Sequence, residues 1–296
     1  MSMRRLSIWI SIICLVLAMT GVASCEKMQA DETGTPTNQT SGNLILRVVT
    51  DASRTGNDTS PWATLHFVAF QDGSKKQGIT QKSSEDGFGE ASMTLPAGTY
   101  QVLVLAHSSG NPSLAEAKKI QFDNADGFSD TFYYYGDIEV TATPATHNIK
   151  MVRATAKVQF TTTDAKPAEV KSMMFYYTGG SGALDATTGL GCVASKQRVI
   201  VDFDDTQTGK PLSVDLYTIP RSDTGGMLSL NVKAFSAPQA GGEILYEKDF
   251  EQLLVERNRI TDCSGTFFNN GSNESSSCSF IISADTSWGG VNQYHY

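Results

Sequence analysis

Histidine, carboxylate, tyrosine and cysteine side chains are where this chain could do chemistry, and their spacing limits what that chemistry can be. Four histidines, His66, His107, His147 and His295, are scattered without metal-ligand spacing. His66 lies within the apolar run ATLHFVAF, where a packed or edge side chain is the expected role. Asp202, Asp204 and Asp205 stand before Gly209 as an acidic turn that could offer oxygen ligands to Ca²⁺. The later carboxylate of such loops is missing, so a solvated hairpin turn is expected there. Tyr133, Tyr134 and Tyr135 beside Gly136 could form a sugar-stacking platform, although strand aromatics more often make core or cross-strand pairs. No nucleophile elbow, His-Glu-x-x-His helix or phosphate-cradling glycine loop occurs, and no acid pair or nucleophile with its base stands out. The expectation is a protein that is not an enzyme and holds neither metal nor cofactor.

The N-terminal segment carries the strongest signal. Arg4 and Arg5 precede an almost wholly apolar run from Leu6 to Met19, and Gly21, Ala23 and Ser24 lead into Cys25. That run is shorter than the ~20 residues a membrane-spanning helix needs, and it fits the apolar region of a signal peptide. Val22-Ala23-Ser24-Cys25 resembles the lipobox of bacterial lipoproteins. The resemblance implies that residues 1–24 are removed and that Cys25 carries a diacylglycerol on its sulfur and a third acyl chain on its amine. Each buried methylene adds ~0.8 kcal/mol, so several chains hold a protein that one chain would release. The alternative is an ordinary secretory signal ending near Ala23.

Residues 25–43 read as a flexible tether. From Glu26 to Asn43 there is one Met, one Ala and no larger aliphatic side chain, too little apolar surface to fold. Glu26, Asp31 and Glu32 resemble the acidic surface-export signals of Bacteroidetes lipoproteins. Loss of the signal peptide removes Arg4 and Arg5 and no acid, so the net charge moves from −8 to −10. That balance argues against a nucleic-acid partner and against a basic membrane-surface patch. No second apolar segment is long enough to span a membrane.

The body reads as strands. The apolar runs are Leu44 to Val49, Ala63 to Phe70, Ala91 to Leu95, Tyr100 to Ala106, Asp130 to Tyr135, Ile138 to Ala142 and His147 to Arg153. Helical periodicity is missing, the best window being Pro112 to Lys119 at two turns. The second half alternates cleanly. Ala156, Val158 and Phe160 oppose Lys157, Gln159 and Thr161. Val199, Val201 and Phe203 behave likewise, as do Leu228, Leu230 and Val232, then Phe280 and Ile282. One apolar face per strand implies sheets packed face to face. The expected fold is all-β, with one sandwich over residues 44–153 and a second over 154–296.

Four stretches resemble the FimB/Mfa-like fimbrial subunits of Bacteroidales. They are Ala63 to Gly73 (ATLHFVAFQDG), Leu95 to Ala106 (LPAGTYQVLVLA), Ile149 to Phe160 (IKMVRATAKVQF, with its R-x-x-A-K-V junction), and a late group. The late group comprises Tyr217-Thr218-Ile219-Pro220, Arg257-Asn258-Arg259-Ile260-Thr261 and Gly265-Thr266-Phe267. The resemblance implies two tandem transthyretin-like β-sandwich domains, export as a lipoprotein to the outer membrane, and partnership with other fimbrial subunits by strand donation. In that family stalk subunits lose their first strand to a trypsin-like protease, and the short chain here, with no long loop insertions, suits an anchor or accessory subunit better than a stalk. Arg47, inside the first strand, and Arg54, in the polar loop after it, are the candidate maturation sites; a solvated arginine is the plainer role for each. A solitary surface lipoprotein that binds glycan or host protein is the alternative function.

Three cysteines remain in the body: Cys192, Cys263 and Cys278. Cys263 and Cys278 end and begin neighbouring expected strands around an Asn/Gly/Ser loop, which places them to pair in an oxidising periplasm. Cys192 is then a buried free thiol, or the true partner of one of them. Closing the 263–278 loop would add ~3 kcal/mol in the chain-entropy model. Non-reducing peptide mapping is expected to recover Cys263 linked to Cys278 and Cys192 unlinked. A bridge to Cys192 would mean that these strand neighbours are wrongly assigned.

Overall fold

The structure is a computed structural model that describes residues 42–49, 62–123, 128–269 and the backbone of 291–295. Cys25, Arg54 and Cys278 lie outside the described residues, as does the expected strand around Phe280 and Ile282. Among the described residues the regular elements are strands, apart from one short 3-10 turn at Asp205–Gln207.

The first half contains β1 (Leu44–Val48), β2 (Thr64–Gln71), β3 (Ser74–Lys82), β4 (Glu90–Met93) and β5 (Gly98–His107). They are followed by β6 (Ile120–Gln121), β7 (Phe132–Val140), β8 (Ala145–Ile149) and β9 (Val152–Arg153). The second half contains β10 (Ala156–Thr162), β11 (Ser172–Thr178), β12 (Ala183–Asp185), β13 (Leu190–Gly191) and β14 (Gln197–Asp202). It ends with β15 (Ser213–Thr218), β16 (Gly226–Ala237), β17 (Gly241–Val255), β18 (Ile260–Gly265) and β19 (Val291–His295).

In the first half a three-stranded sheet, β4-β1-β8, faces a five-stranded sheet, β3-β2-β5-β7-β9. Leu44, Leu46, Phe67, Met93, Tyr100 and Val104 fill the space between them. The turn before β5 is closed locally, with the Tyr100 hydroxyl donating to the Pro96 carbonyl at 3.0 Å. In the second half β15-β10-β18-β19 and β14-β11-β16-β17 form the two sheets. Their core centres on Phe160, which meets Phe175, Phe250 and Phe267 edge-on at 5.3, 5.9 and 5.6 Å. Alternation decides which side chains enter it: β10 buries Ala156, Val158, Phe160 and Thr162 and leaves the residues between them half-exposed.

The apolar runs of β2 and β5 do not alternate, and the structure gives the reason. Phe67, Ala69, Val102 and Val104 face the first core. Their neighbours Val68, Phe70, Leu103 and Leu105 face the other way into a third cluster, with Ile120, Phe122, Leu184, Ala186 and Ile219. A small sheet, β13-β12-β6, takes strands from both halves and covers this second face. Both surfaces of β2 and β5 are therefore dry.

Some expected boundaries are corrected. Asp130 to Tyr135 and Ile138 to Ala142 read as two strands, but β7 runs unbroken through Gly136, which pairs with Val102. The single strand expected at His147 to Arg153 is two. β8 pairs with β1, and β9 pairs with β7 in the facing sheet, so the chain changes sheets at Lys150 and Met151. β3 and β17 were not legible because they are largely polar edge strands, with most of β3 exposed. Pro112 to Lys119 forms no helix.

Leu103 tests the double burial. It is fully buried on the face of β5 opposite the first core. Leu103→Ala is expected to lower unfolding free energy by about 2–5 kcal/mol in chemical denaturation, the usual range for a deep core site. A loss below about 1 kcal/mol would mean that this face meets solvent.

Candidate functional site

The first strand and the sheet edges are the surfaces on which an assembly role would act. β1 is a central strand, antiparallel to β4 and parallel to β8. Leu44 and Leu46 point into the core and are 1% and 0% exposed. Asn43 holds the strand's entry: its side-chain amide donates to the carbonyls of Leu95 and Thr141 at 2.8 and 2.7 Å, and its oxygen accepts from the Leu95 N–H at 2.9 Å. Removing β1 would therefore leave backbone donors and acceptors open on both neighbours and two empty apolar pockets. Arg47 faces outward and pairs with Glu90 across the β1–β4 register at 2.8 Å. Its backbone lies within the ladder, so a protease reaches it only after the strand opens.

The C-terminal edge is built differently. β19 lies at the edge of its sheet, parallel to β18, with Val291 opposite Ile260 and His295 opposite Ser264. Asp164 pins the chain just past the end of β18. Its carboxylate accepts the N–H groups of Phe267, Phe268 and Asn269 at 2.9, 2.6 and 2.9 Å. Three charge-assisted bonds to consecutive amides fix where the following segment leaves the sheet.

Two of the sequence stretches meet at the junction between the halves. Arg153 is 7% exposed and its Nε donates to both oxygens of Asp130, at 2.9 and 3.1 Å. Its Nη1 donates to Asn258 Oδ1 at 2.6 Å, and its guanidinium lies over the Phe132 ring at 4.5 Å from the centroid. Thr155 Oγ1 donates to Asp130 at 2.7 Å, and the Asn258 N–H donates to the Thr155 carbonyl at 2.8 Å. Asn258 adopts φ 60°, a left-handed conformation that asparagine tolerates better than most residues. The planar guanidinium fork thus binds β9, the start of β7 and the 256–259 turn together.

The other candidate residues fall as follows. Cys192 is exposed, which corrects the expected buried thiol; it lies in the turn after β13, where little apolar side chain covers it. Cys263 is buried on β18, opposite Phe160. The three acids of the Asp202 turn diverge. Asp202 holds Gln239, Asp204 caps the 3-10 turn through the Thr206 N–H at 2.8 Å, and Asp205 pairs with Lys171 at 3.0 Å. Tyr133 is buried, with its hydroxyl 3.5 Å from Arg257 Nη1. Tyr134 packs against the first core and Tyr135 against the third cluster, so the three do not form one platform.

His66 and His107, far apart in sequence, come together. Their Nε2 atoms are 2.9 Å apart and their ring planes lie within 10° of parallel, with the centroids 5.1 Å apart, so the rings meet edge to edge. His107 Nδ1 lies 3.1 Å from the Ser109 carbonyl, which can only accept, so that nitrogen carries a proton. His107 Nε2 is then the acceptor, His66 Nε2 donates to it, and the Thr80 hydroxyl donates to His66 Nδ1 across 2.8 Å. The sequence offered no register between β2 and β5, which no short hairpin joins, and so could not show that the two residues are diagonal neighbours.

Burial is the main force holding both rings neutral. It pushes His66 down to about 4 from the ordinary 6.5, aided by His107, Lys82 and Lys75; Lys82 also opposes charge on His107, while the Ser109 carbonyl favours it. An unfolded histidine takes a proton near pH 6.5 and the folded one only near pH 4. Stability from this site is thus complete above the first value and falls as pH drops toward the second, by roughly 3 kcal/mol. Urea denaturation at about pH 7.5 and about pH 4.5 should show that fall, and His66→Leu should flatten it. Equal slopes in both proteins would remove the pair from the acid response.

With this geometry in hand, residues 32–293 match the model of the Mfa2 family, described as fimbrillin-A associated anchor proteins Mfa1 and Mfa2. Among solved structures, the fimbrial anchor protein Mfa2 from Porphyromonas gingivalis is similar at 12% identity and a TM-score of 0.40, over 70% of this chain and 81% of that one. A fimbrial assembly protein from Parabacteroides distasonis is similar at 14% identity and a TM-score of 0.39, over 75% of this chain and 90% of that one. No curated protein matches. The family match takes in β1, both cores and the junction around Arg153, and the chain belongs to the Mfa2 family of fimbrillin-A associated anchor proteins.

Proposed function

We propose that this protein ends a fimbrium at the outer membrane, as an anchor or accessory subunit held there by lipid on Cys25 and joined to its neighbours by strand donation. The observation that carries the reading is the family match from residue 32 to residue 293. The seating of β1 supports it: an anchor keeps its first strand, and here Leu44 and Leu46 belong to the core. Cleavage at Arg47 would sever that strand within its ladder, and cleavage at Arg54 would detach it from β2. Retention of β1 is accordingly the favoured state, with the residues from Cys25 to just before Gly42 as the spacer to the membrane and Gly42 and Asn43, expected in the tether, held in the fold.

On the donor side the candidate is the C-terminal tail. Among the described residues, β19 holds one edge of its sheet through a parallel ladder to β18 alone. A single ladder at an edge is the least costly to exchange, and an extended segment can complete a neighbour's open edge through the same backbone groups. Six residues from Val291 to Tyr296 offer few aliphatic side chains, so the preceding segment would have to contribute to any donated strand.

The test uses the native surface. Cells carrying Cys25→Ala should lose clickable fatty-acid label on the protein and shed fibres into the medium. Cells carrying a chain without residues 289–296 should keep a lipidated protein with normal thermal melting but retain fewer fibres. Label that persists on Cys25→Ala would remove the lipid assignment. Normal fibre retention by the truncated chain would refute the donor role and favour a solitary lipoprotein that binds glycan or host protein.

A further inference from the structure

One surface cleft lies apart from β1, β19 and the junction. It has a volume of about 280 Å³, is open to solvent, and is lined by Phe70, Gln101, Glu116, Lys118, Tyr135 and Thr187. Its walls come from both halves. β2, β5 and β7 supply Phe70, Gln101 and Tyr135, the segment before β6 supplies Glu116 and Lys118, and the turn after β12 supplies Thr187. Backbone bonding fixes the far wall, because the Ala186 N–H donates to the Ala117 carbonyl at 2.9 Å. The Asp185 carboxylate closes the turn by accepting from the Thr187 N–H and hydroxyl at 2.9 and 2.6 Å. On the near side, Asp72 and Gly73, with φ of 52° and 73°, turn tightly between β2 and β3, and Gly73 adds no side chain to the rim.

The polar groups in this cleft are largely uncommitted. Among the described residues, no side-chain hydrogen bond or ion pair engages Glu116, Lys118 or the Tyr135 hydroxyl. Gln101 uses one amide hydrogen on Asp137 at 3.2 Å, which leaves its carbonyl oxygen available. Burial, with Asp137 and Asp185 nearby, raises the Tyr135 phenol above its ordinary range, so it remains a neutral donor at physiological pH. The floor is aromatic, with Phe70 buried and Tyr135 half-buried.

We infer that this cleft is a carbohydrate-binding site that takes a single pyranose unit of a glycan. A pyranose ring has an apolar C–H face that packs on an aromatic side chain, while its equatorial hydroxyls both donate and accept. Tyr135 supplies the aromatic surface, and Gln101 and Glu116 supply acceptors for neighbouring hydroxyls. Lys118, on the same segment as Glu116, supplies a donor. The volume lies just under the roughly 300 Å³ at which pockets for larger ligands begin, which suits one ring within the cleft.

The experiment uses the full chain in detergent with a panel of methyl glycosides of glucose, galactose, mannose and N-acetylglucosamine, read by saturation-transfer difference NMR. At least one glycoside should give ring C–H saturation and bind with a dissociation constant on the order of millimolar, as a small open cleft allows. Tyr135→Ala should weaken that binding at least tenfold and Tyr135→Phe by less, with Glu116→Gln and Lys118→Ala, both exposed changes, each weakening it severalfold. Tyr176→Ala, on the outer face of the other sheet pair, should leave it unchanged. No saturation from any glycoside, or binding that survives Tyr135→Ala, Glu116→Gln and Lys118→Ala, would overturn the site. Because Glu116 and Lys118 are at the surface, their variants decide the matter even if Tyr135→Ala destabilises the fold. Fibre retention does not enter this result, so its failure leaves the anchor role standing.

Discussion

The sheet formed by β3, β2, β5, β7 and β9 is the element on which the rest depends, because both of its faces are dry at β2 and β5. Burial on one face would have needed a single partner sheet. Burial on two requires β4-β1-β8 on one side and, on the other, a cover assembled from β6, β12 and the Ile219 region. That cover comes from both halves of the chain, with Ile120 and Phe122 from the first and Leu184, Ala186 and Ile219 from the second. Apolar surface buried at roughly 25 cal/mol per Å² therefore holds the halves against each other as well as closing each sandwich. Leu103 and Leu105 in β5, with Leu184 and Ile219 from the second half, are the contacts in question.

Apolar packing of this kind is non-directional, and the polar cluster at Arg153 supplies direction. A guanidinium buried at this depth would be costly alone, and here Asp130, Asn258 and the Phe132 ring occupy its donors and its face. The cluster can form only if β9, the start of β7 and the 256–259 turn all arrive in register. It thereby fixes one orientation among the many a greasy interface would allow. The clamp at Asp164 does the same for residues 267–269 just past the end of β18.

These two devices bear on the proposed assembly role. An anchor must hold its own first strand firmly and keep an edge exchangeable, and the two ends of this fold differ in that sense. β1 is paired on both sides and buries leucines, whereas β19, among the described residues, is paired with β18 alone. Other edges are protected in familiar ways. β3 carries Lys75, Lys76 and Lys82 and a register shift opposite Ala69 and Phe70, both of which discourage unwanted pairing.

The sequence by itself determined the strand content and most strand positions, because period-two alternation and turn residues are local signals. It also carried, through ordered motifs such as LPAGTYQVLVLA and IKMVRATAKVQF, the family. The continuous apolar character of ATLHFVAF and YQVLVLA already held the fact of double burial, yet not the identity of the cover. What only the tertiary structure decided depends on register between strands distant in sequence. His66 beside His107, Arg153 against Asn258, Asp164 beneath three amides, and Glu116 across a cleft from Tyr135 are all such pairs. β3 and much of β17 were hidden for a related reason: an edge strand is stabilised by backbone bonds to one neighbour, and its polar side chains leave no apolar period to read. Local chemistry writes the strands into the chain, and long-range pairing, which no short window contains, decides which side chains meet.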